Sequence, residues 1–352
     1  MYIKSVVSDL GKYEVIQQGD IPILGYSDDR PFEKYKSVIL FGDHTLSLYR
    51  PKAPFLLATD GIKILQSTIL KRDYLYYLTQ NYIPKSQGYK RHFSLLKQVF
   101  VNYSRDSSEQ SAIGSLFRTL DDLLASYKDN LANYQSFKET MLFKMFPKAG
   151  QTVPEIRLDG FDGEWEKSKL KDVAHRVQGN DGRMDLPTLT ISASGGWMDQ
   201  IDRFSANIAG KEQKNYTLLK KGELSYNHGN SKLAKYGVVF ELQEYEEALV
   251  PKVYHSFRVN QLADSKFIEI MFSTKIPDRE LGKLISSGAR MDGLLNISFD
   301  DFMNISIIIP TIKEQQAISA YFSTLDNLIN SHREKISQLE TLKKKLLQDM
   351  FI

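Results

Sequence analysis

Residues 104–147 read SRDSSEQSAIGSLFRTLDDLLASYKDNLANYQSFKETMLFKMFP, and residues 309–352 read IPTIKEQQAISAYFSTLDNLINSHREKISQLETLKKKLLQDMFI. The second stretch matches the first at a displacement of 205 positions, without a gap. Glu109-Gln110 falls on Glu314-Gln315, Ala112-Ile113 on Ala317-Ile318 and Phe117 on Phe322. Thr119-Leu120-Asp121 falls on Thr324-Leu325-Asp326, and Met145-Phe146 on Met350-Phe351. Gly88 and Gly293 share the same displacement, so the repeat reaches back into what precedes each stretch. Self-similarity of this length means that the chain is two copies of one unit, each ending in the same element.

That element is a long helix. Steps of four and three along the second copy visit Ile318, Phe322, Leu325, Ile329, His332, Ile336, Leu339, Lys343, Leu346 and Met350. The same register in the first copy visits Ile113, Phe117, Leu120, Leu124, Tyr127, Leu131, Tyr134, Lys138, Met141 and Met145. A period of 3.5 residues keeps one stripe turned toward a partner helix, which is the coiled-coil pattern. Lys138 and Lys343 occupy one register position, where a charge can specify pairing; the alternative is that each stem snorkels at a fraying end. Asp106 with Glu109, and Thr311 with Glu314, have the spacing of a capping box. A helix of about 38 residues would be about 57 Å long. The simplest arrangement packs the two helices on each other, antiparallel; the alternative is that each pairs with a helix of another chain, and the pattern alone does not separate the two. The helix-interface residues expected from the seam are Phe117, Leu120, Leu124, Leu131, Phe322, Leu325, Ile329, Ile336 and Leu339.

At 352 residues the chain has room for two or three domains. The division expected is a first globular domain over 1–103, a long helix over 104–147, a linker over 148–163, a second globular domain over 164–310 and a second long helix over 311–352. The fold class is therefore α+β: two globular α/β domains separated by two long antiparallel helices that form an intramolecular coiled coil. Short strands are expected at Thr188–Ile191, Glu223–Tyr226, Gly237–Glu241, Val253–Arg258 and Asn304–Ile309, and a helix near Lys266–Ser273. Counted back from Glu109, the opening that the second domain makes at Trp165 would fall about 40 residues before Met1. The first domain is accordingly expected to lack its N-terminal part.

Composition excludes several classes. There is no Cys, hence no disulfide, thiolate metal site or Cys nucleophile. No apolar run reaches the length of a membrane span and the N-terminus lacks a signal pattern, so a cytoplasmic protein without membrane contact is expected. No Gly-rich cofactor turn, P-loop, metalloprotease His pair or nucleophile elbow occurs, and the six His are scattered. No metal site is expected. Gly42-Asp43-His44-Thr45 sets acid, imidazole and hydroxyl side by side, but neighbours on a strand face opposite ways. The chain reads as a binder rather than an enzyme.

The net charge is only +3, so local distribution matters more than the total. Lys85, Lys90, Arg91 and Lys97 occur without an acidic neighbour, interleaved with Tyr89 and His92. Lys211, Lys214, Lys220, Lys221, Lys232 and Lys235 stand against Glu212 and Glu223, with Tyr216, Tyr226 and His228 between them. That mixture suits phosphate contacts combined with base contacts.

The paired segments resemble those of a known family. Ile308-Ile309-Pro310 with Glu314-Gln315-Gln316-Ala317-Ile318 and Phe322-Ser323-Thr324-Leu325-Asp326 look like the distal conserved segment of the DNA specificity subunit of type I restriction–modification enzymes. Ser108-Glu109-Gln110 with Phe117-Arg118-Thr119-Leu120-Asp121 look like its central one, although Arg105 stands where the distal copy has Pro310. Pro154-Glu155-Ile156-Arg157-Leu158, Phe161-Asp162-Gly163-Glu164-Trp165-Glu166 and Leu170-Lys171-Asp172-Val173 look like the approach to a second target-recognition domain. Gly42-Asp43-His44-Thr45, Asp60-Gly61-Ile62-Lys63 and Gly88-Tyr89-Lys90-Arg91-His92-Phe93 resemble one recurring type of recognition domain.

The resemblance implies a non-catalytic subunit that reads a bipartite target on double-stranded DNA, one half-site per recognition domain. Its implied partners are two modification subunits, which would bind S-adenosylmethionine, and restriction subunits, which would bind ATP and Mg; no cofactor is implied for this chain. DNA contacts are expected from His44, Thr45, Lys63, Tyr89, Arg91 and His92 in the first domain. In the second they are expected from Tyr226, Asn227, His228, Asn230, Ser231 and Lys232. Arg91 leads, because a guanidinium fork can grip guanine or phosphate. Rival readings are a coiled-coil scaffold without a DNA role, a nuclease or methyltransferase with a degenerate motif, and a partial or silent specificity subunit reading one half-site.

Overall fold

A computed structural model describes residues 6–88, 90–204, 210–229, 231–285 and 294–351. Tyr89, Asn230 and Gly293 lie outside the described residues. The chain divides into two units, one comprising Met1–Ala132 with Ser331–Ile352, the other Asn133–Asn330.

The first unit opens with β1 (Tyr13–Ile16), β2 (Ile23–Ser27), β3 (Val38–Gly42), β4 (Leu48–Tyr49), β5 (Phe55–Leu57) and β6 (Ile62–Gln66). Helices α1 (Arg72–Asn81), α2 (Phe93–Leu96) and the beginning of α3 (Ser107–Lys144) follow. One sheet has the order β2-β1-β5, with β5 parallel to β1; the other is the antiparallel set β4-β3-β6. The run Val38-Ile39-Leu40-Phe41 is apolar throughout because every residue of β3 is buried, on both faces.

The second unit contains the end of α3, then β7 (Glu166–Lys169), α4 (Leu170–Val173), β8 (Ala174–Arg176), β9 (Leu189–Ser192), β10 (Gly196–Asp199) and α5 (Gln200–Phe204). It continues through β11 (Thr217–Lys220), β12 (Leu224–Asn227), β13 (Val238–Glu241), β14 (Glu247–Val250) and β15 (His255–Val259). It ends with α6 (Ser265–Ser273), α7 (Asp278–Leu284), α8 (Phe299–Met303), β16 (Ser306–Ile309) and the beginning of α9 (Ile312–Met350). Its largest sheet is antiparallel, in the order β13-β12-β15-β8. Trp165 is its largest buried side chain, set edge-on to Phe146 at 5.7 Å and to Phe267 at 5.8 Å.

In both units α3 and α9 run antiparallel. In the first, Phe117 of α3 meets Phe351, Asp121 meets Lys343 at 2.5 Å, and Lys128 meets Glu340 at 2.7 Å, so one number falls as the other rises. In the second, the end of α3 (Met145, Phe146) shares a core with the beginning of α9 (Ile318, Phe322, Leu325), and Lys138 meets Asp326 at 2.5 Å. Phe117, Leu120, Leu124, Phe322, Leu325 and Ile329 are buried; Leu131, Ile336 and Leu339 are half-buried. Lys138 and Lys343 do not fray outward. Each makes an ion pair with an aspartate of the other copy, and the two aspartates, Asp121 and Asp326, are themselves 205 apart.

The helix starts form only half of the expected capping boxes. Asp106 accepts from the N–H groups of Ser108 and Glu109, and the Thr311 hydroxyl from that of Glu314. The reciprocal glutamates turn elsewhere. Glu109 takes the Ser104 hydroxyl, and Glu314 grips Arg157 at 2.8 and 2.7 Å. The Arg157–Glu314 fork, with Glu314 only 1% exposed, fastens the connecting segment to the start of α9.

The neighbouring glutamine does the same work in both units. Gln110 accepts from the Lys71 N–H just before α1 and donates to the Ile69 and Ser104 carbonyls. Gln315 accepts from the Asp264 N–H just before α6 and donates to the Leu262 and Pro310 carbonyls. Each long helix is thus locked, through one buried amide, to the start of a globular helix.

Candidate nucleic-acid interface

Three segments far apart in the first 93 residues meet around one buried carboxylate. Asp43, 2% exposed, follows β3. Its N–H donates to the Gly61 carbonyl at 2.8 Å, and its Oδ1 accepts from the Phe93 N–H at 2.7 Å. Its own carbonyl accepts from the His92 N–H at 2.8 Å and lies 3.0 Å from His92 Nδ1. His92 Nε2 accepts from the Gln87 N–H at 3.0 Å, so the proton of a neutral ring sits on Nδ1 and points at Asp43. His44 is fixed from below, its N–H donating to Gln18 Oε1 at 3.1 Å. The hydroxyl of Thr45 bonds that of Ser47, in a turn where Leu46 takes φ 59°.

What this cluster presents outward is Thr45 and Arg91, with His44 and Lys63 half-buried beside them. Arg91 pairs with Asp60 at 3.3 Å, and both side chains are mostly exposed. An exposed pair of this kind contributes under about 1 kcal/mol, so the guanidinium exchanges it readily for another anion. Lys63 donates to the Asp60 carbonyl at 2.6 Å and stands 3.8 Å from Asp43. His92 is fully buried; it holds the cluster together and cannot touch a duplex directly. Tyr89 lies outside the described residues. Asp43 and Gln18, which organise the site, had no place among the expected contacts. The one local sign of Asp43 was its setting between Gly42 and His44, at the end of an apolar strand.

In the second unit the expected contacts separate into core and tip. Tyr226 is fully buried, stacked on Phe302 at 4.4 Å, with its hydroxyl donating to the Tyr236 carbonyl at 2.7 Å; burial pushes the phenol up, so it stays a neutral donor. His228 is 4% exposed, and its two ring nitrogens stand 2.8 and 2.9 Å from the Leu295 and Val253 carbonyls. Both are therefore corrected from contact residues to internal supports. Asn227 donates to the Ile191 carbonyl at 3.2 Å and accepts from the Gly229 N–H at 3.1 Å, closing a turn. Ser231 and Lys232 are exposed beyond it, and Asn230 lies outside the described residues. Gly237 must be glycine: φ is +80°, and a Cβ would lie 2.4 Å from the Asn227 carbonyl oxygen.

One histidine packed beneath this tip, His255, titrates. His255 stacks on His228 at 4.7 Å and bonds the Ile297 carbonyl through Nε2 at 2.9 Å. Burial, chiefly, lowers its imidazole to about 4; the Ile297 bond pulls the other way. The unfolded chain therefore binds a proton at His255 between pH 6.5 and 4 that the folded chain refuses. Stability from this group is complete above pH 6.5 and is lost as pH falls through that window. After discounting for its partial exposure the loss is about 2 kcal/mol. Melting of wild type and His255→Gln from pH 7 to 4 checks this: the difference between them should change across the window, and a flat difference would refute it.

Among the described residues no helix is long and apolar enough to cross a membrane. Comparison with known proteins places the chain. Residues 162–341, just over half of it, match the family model described as the type I restriction modification DNA specificity domain. The type I restriction enzyme MjaVIII specificity subunit of Methanocaldococcus jannaschii is 20% identical over 269 residues. That alignment takes in 71% of this chain and 62% of the relative, less than two thirds of its length. A crystal structure of the S subunit of a type I restriction–modification system from M. genitalium superposes with a TM-score of 0.59 at 14% identity, covering 100% of this chain and 92% of that one. The HsdS subunit from Thermoanaerobacter tengcongensis gives a TM-score of 0.45 at 13% identity, covering 91% and 81%. The M. genitalium likeness is one of fold; the family follows from the matched half of the sequence, and the chain belongs to the type I restriction–modification DNA specificity family.

Proposed function

We propose that this chain is the specificity subunit of a type I restriction–modification complex, reading a bipartite target on double-stranded DNA. The observation that carries the reading is the doubled design: each unit joins an α/β globular part to antiparallel segments of the same two helices, locked by the same buried glutamine. Residues 1–103 and 164–310 act as the two recognition domains, each for one half-site, and 104–147 and 311–352 as the conserved helices, with 148–163 as linker. The DNA-facing residues are Thr45, Arg91, His44 and Lys63 in the first domain and Ser231, Lys232 and Asn227 in the second. His92, Tyr226 and His228 act behind them as positioning residues. Modification subunits supply methyl transfer from S-adenosylmethionine, restriction subunits supply ATP-driven cleavage, and this chain performs neither reaction. The target base leaves the stack for methylation, so the chain's task is to hold the duplex in register for partners.

Methylation profiling of the host with and without the gene tests the whole reading; a gapped two-part motif should vanish on deletion, and an unchanged methylome would refute it. For the contacts, Arg91→Ala should cost the assembled complex about 1–3 kcal/mol of DNA affinity, and Lys232→Ala should flatten the salt dependence by about one unit of slope. Unaltered affinity and slope in both variants would remove these loops from the interface.

A further inference from the structure

The first unit contains a cavity of about 790 Å3 whose wall carries six cationic side chains, Lys36, Arg50, Lys52, Lys71, Arg72 and Arg118, against two carboxylates, Asp73 and Asp122. It opens where β4 and the start of α1 meet the first turns of α3. Asp73 is shared among three guanidinium groups, Arg50 at 3.5 Å, Arg72 at 3.3 Å and Arg118 at 3.5 Å, and Arg50 also reaches Asp121 at 3.3 Å. One carboxylate at such distances leaves most of their N–H donors uncommitted to it. Arg50 is held face-on by Tyr76 at 4.4 Å, and Tyr35 and Tyr49 complete the wall with aromatic surface.

The joint between helix and globular part does not require this charge. The second unit has a cavity of about 520 Å3 against the corresponding stretch of α9, where Ser323 and Asn327 stand 205 positions after Arg118 and Asp122. There the charge is reversed. Glu241, Glu244, Glu269 and Asp326 outnumber Lys138 and Lys266, and each of those lysines is already paired, with Asp326 and Glu269 respectively. The same frame is built once with acid in excess and once with base in excess, so the excess of cations in the first cavity is a property of that unit and not of the joint.

We propose that the first cavity is a phosphate-binding site. Several planar guanidinium forks around one concavity match the several acceptors and multiple charge of a phosphate better than a single carboxylate. The flanking tyrosines suit the sugar or base of a nucleotide. The phosphate comes either from a DNA backbone or from a free nucleotide or polyphosphate. The assignment is separate from the recognition loops and survives the failure of any contact proposed there.

Inorganic tripolyphosphate is the probe, titrated at low ionic strength into the full chain. Wild type should bind it, Arg72→Ala/Arg118→Ala should weaken binding by about tenfold or more, and Lys171→Ala, an exposed lysine elsewhere, should leave it unchanged. Because Arg72 and Arg118 also hold Asp73, Lys36→Ala/Lys52→Ala provides a second test from outside that ion cluster, with a smaller loss at unaltered melting temperature. Displacement of the probe by duplex DNA identifies the backbone as the source; failure to displace it identifies a free phosphate ligand. No binding by wild type, equal binding by both double variants, or equally tight binding of a glutamate oligomer of matched charge would overturn the proposal. The methylation readout is unaffected by these outcomes, so the two readings fail separately.

Discussion

Asp121→Ala is expected to destabilise the protein by about 3 kcal/mol, while Asp326→Ala, the same repeat position, costs about 1 kcal/mol or less. Both aspartates pair with a seam lysine at 2.5 Å. Their surroundings differ. Asp121 also accepts from the Tyr77 hydroxyl at 2.6 Å and lies 3.3 Å from Arg50, which itself is four-fifths buried. Burial, reinforced by the bond to Asp121, pushes the Tyr77 phenol up, so it remains a donor to that carboxylate. Removing the carboxylate strands a lysine and a phenol together and leaves Arg50 to its longer contact with Asp73. Among the described residues Asp326 pairs with Lys138, and 36% of its side chain is exposed, so water replaces it. Urea unfolding of the two variants, measured side by side, decides this. Equal costs would mean that the polar network around Asp121 contributes nothing beyond its ion pair with Lys343.

This asymmetry marks the boundary of what was legible in the sequence. The long helices were legible because a 3.5-residue repeat sustained over ten positions has few other physical solutions. Their mutual packing was the simplest of two arrangements the pattern allowed, and for Lys138 and Lys343 the seam left pairing and snorkelling open, which the ion pairs decide. The globular parts were less so. Strand β12 lies in the middle of its sheet, and Leu224, Ser225 and Tyr226 are all buried, so the alternation that would separate inside from outside is absent. Tyr226, His228 and His92 carry side chains that serve equally well as core or as contact, and only the packing around them decides. The cations of the first cavity come from positions 36, 50, 52, 71, 72 and 118; no local run gathers them, and only the fold does.

The two glutamines, by contrast, were visible as repeat identities without any visible reason, and the reason predicts the largest loss. Gln315→Leu keeps size and helix propensity but removes one acceptor and two donor bonds at a side chain with no exposure. The Asp264 N–H and the Leu262 and Pro310 carbonyls then lose that partner. At about 1–3 kcal/mol for each buried polar group left unpaired, the cost is about 4 kcal/mol, moderated by relaxation of the segment before α6. Gln110→Leu should cost a similar amount in the first unit, because Lys71, Ile69 and Ser104 stand in the same roles. The two sites share no partner, so the double variant should show the sum of the single losses to within about 0.5 kcal/mol. Amide exchange at Asp264 and Lys71 reports the mechanism separately from the global loss: each should quicken in its own variant and hold in the other. A loss below 1 kcal/mol in both single variants would mean that the repeated Glu-Gln pair is retained for something other than holding each long helix to its globular part.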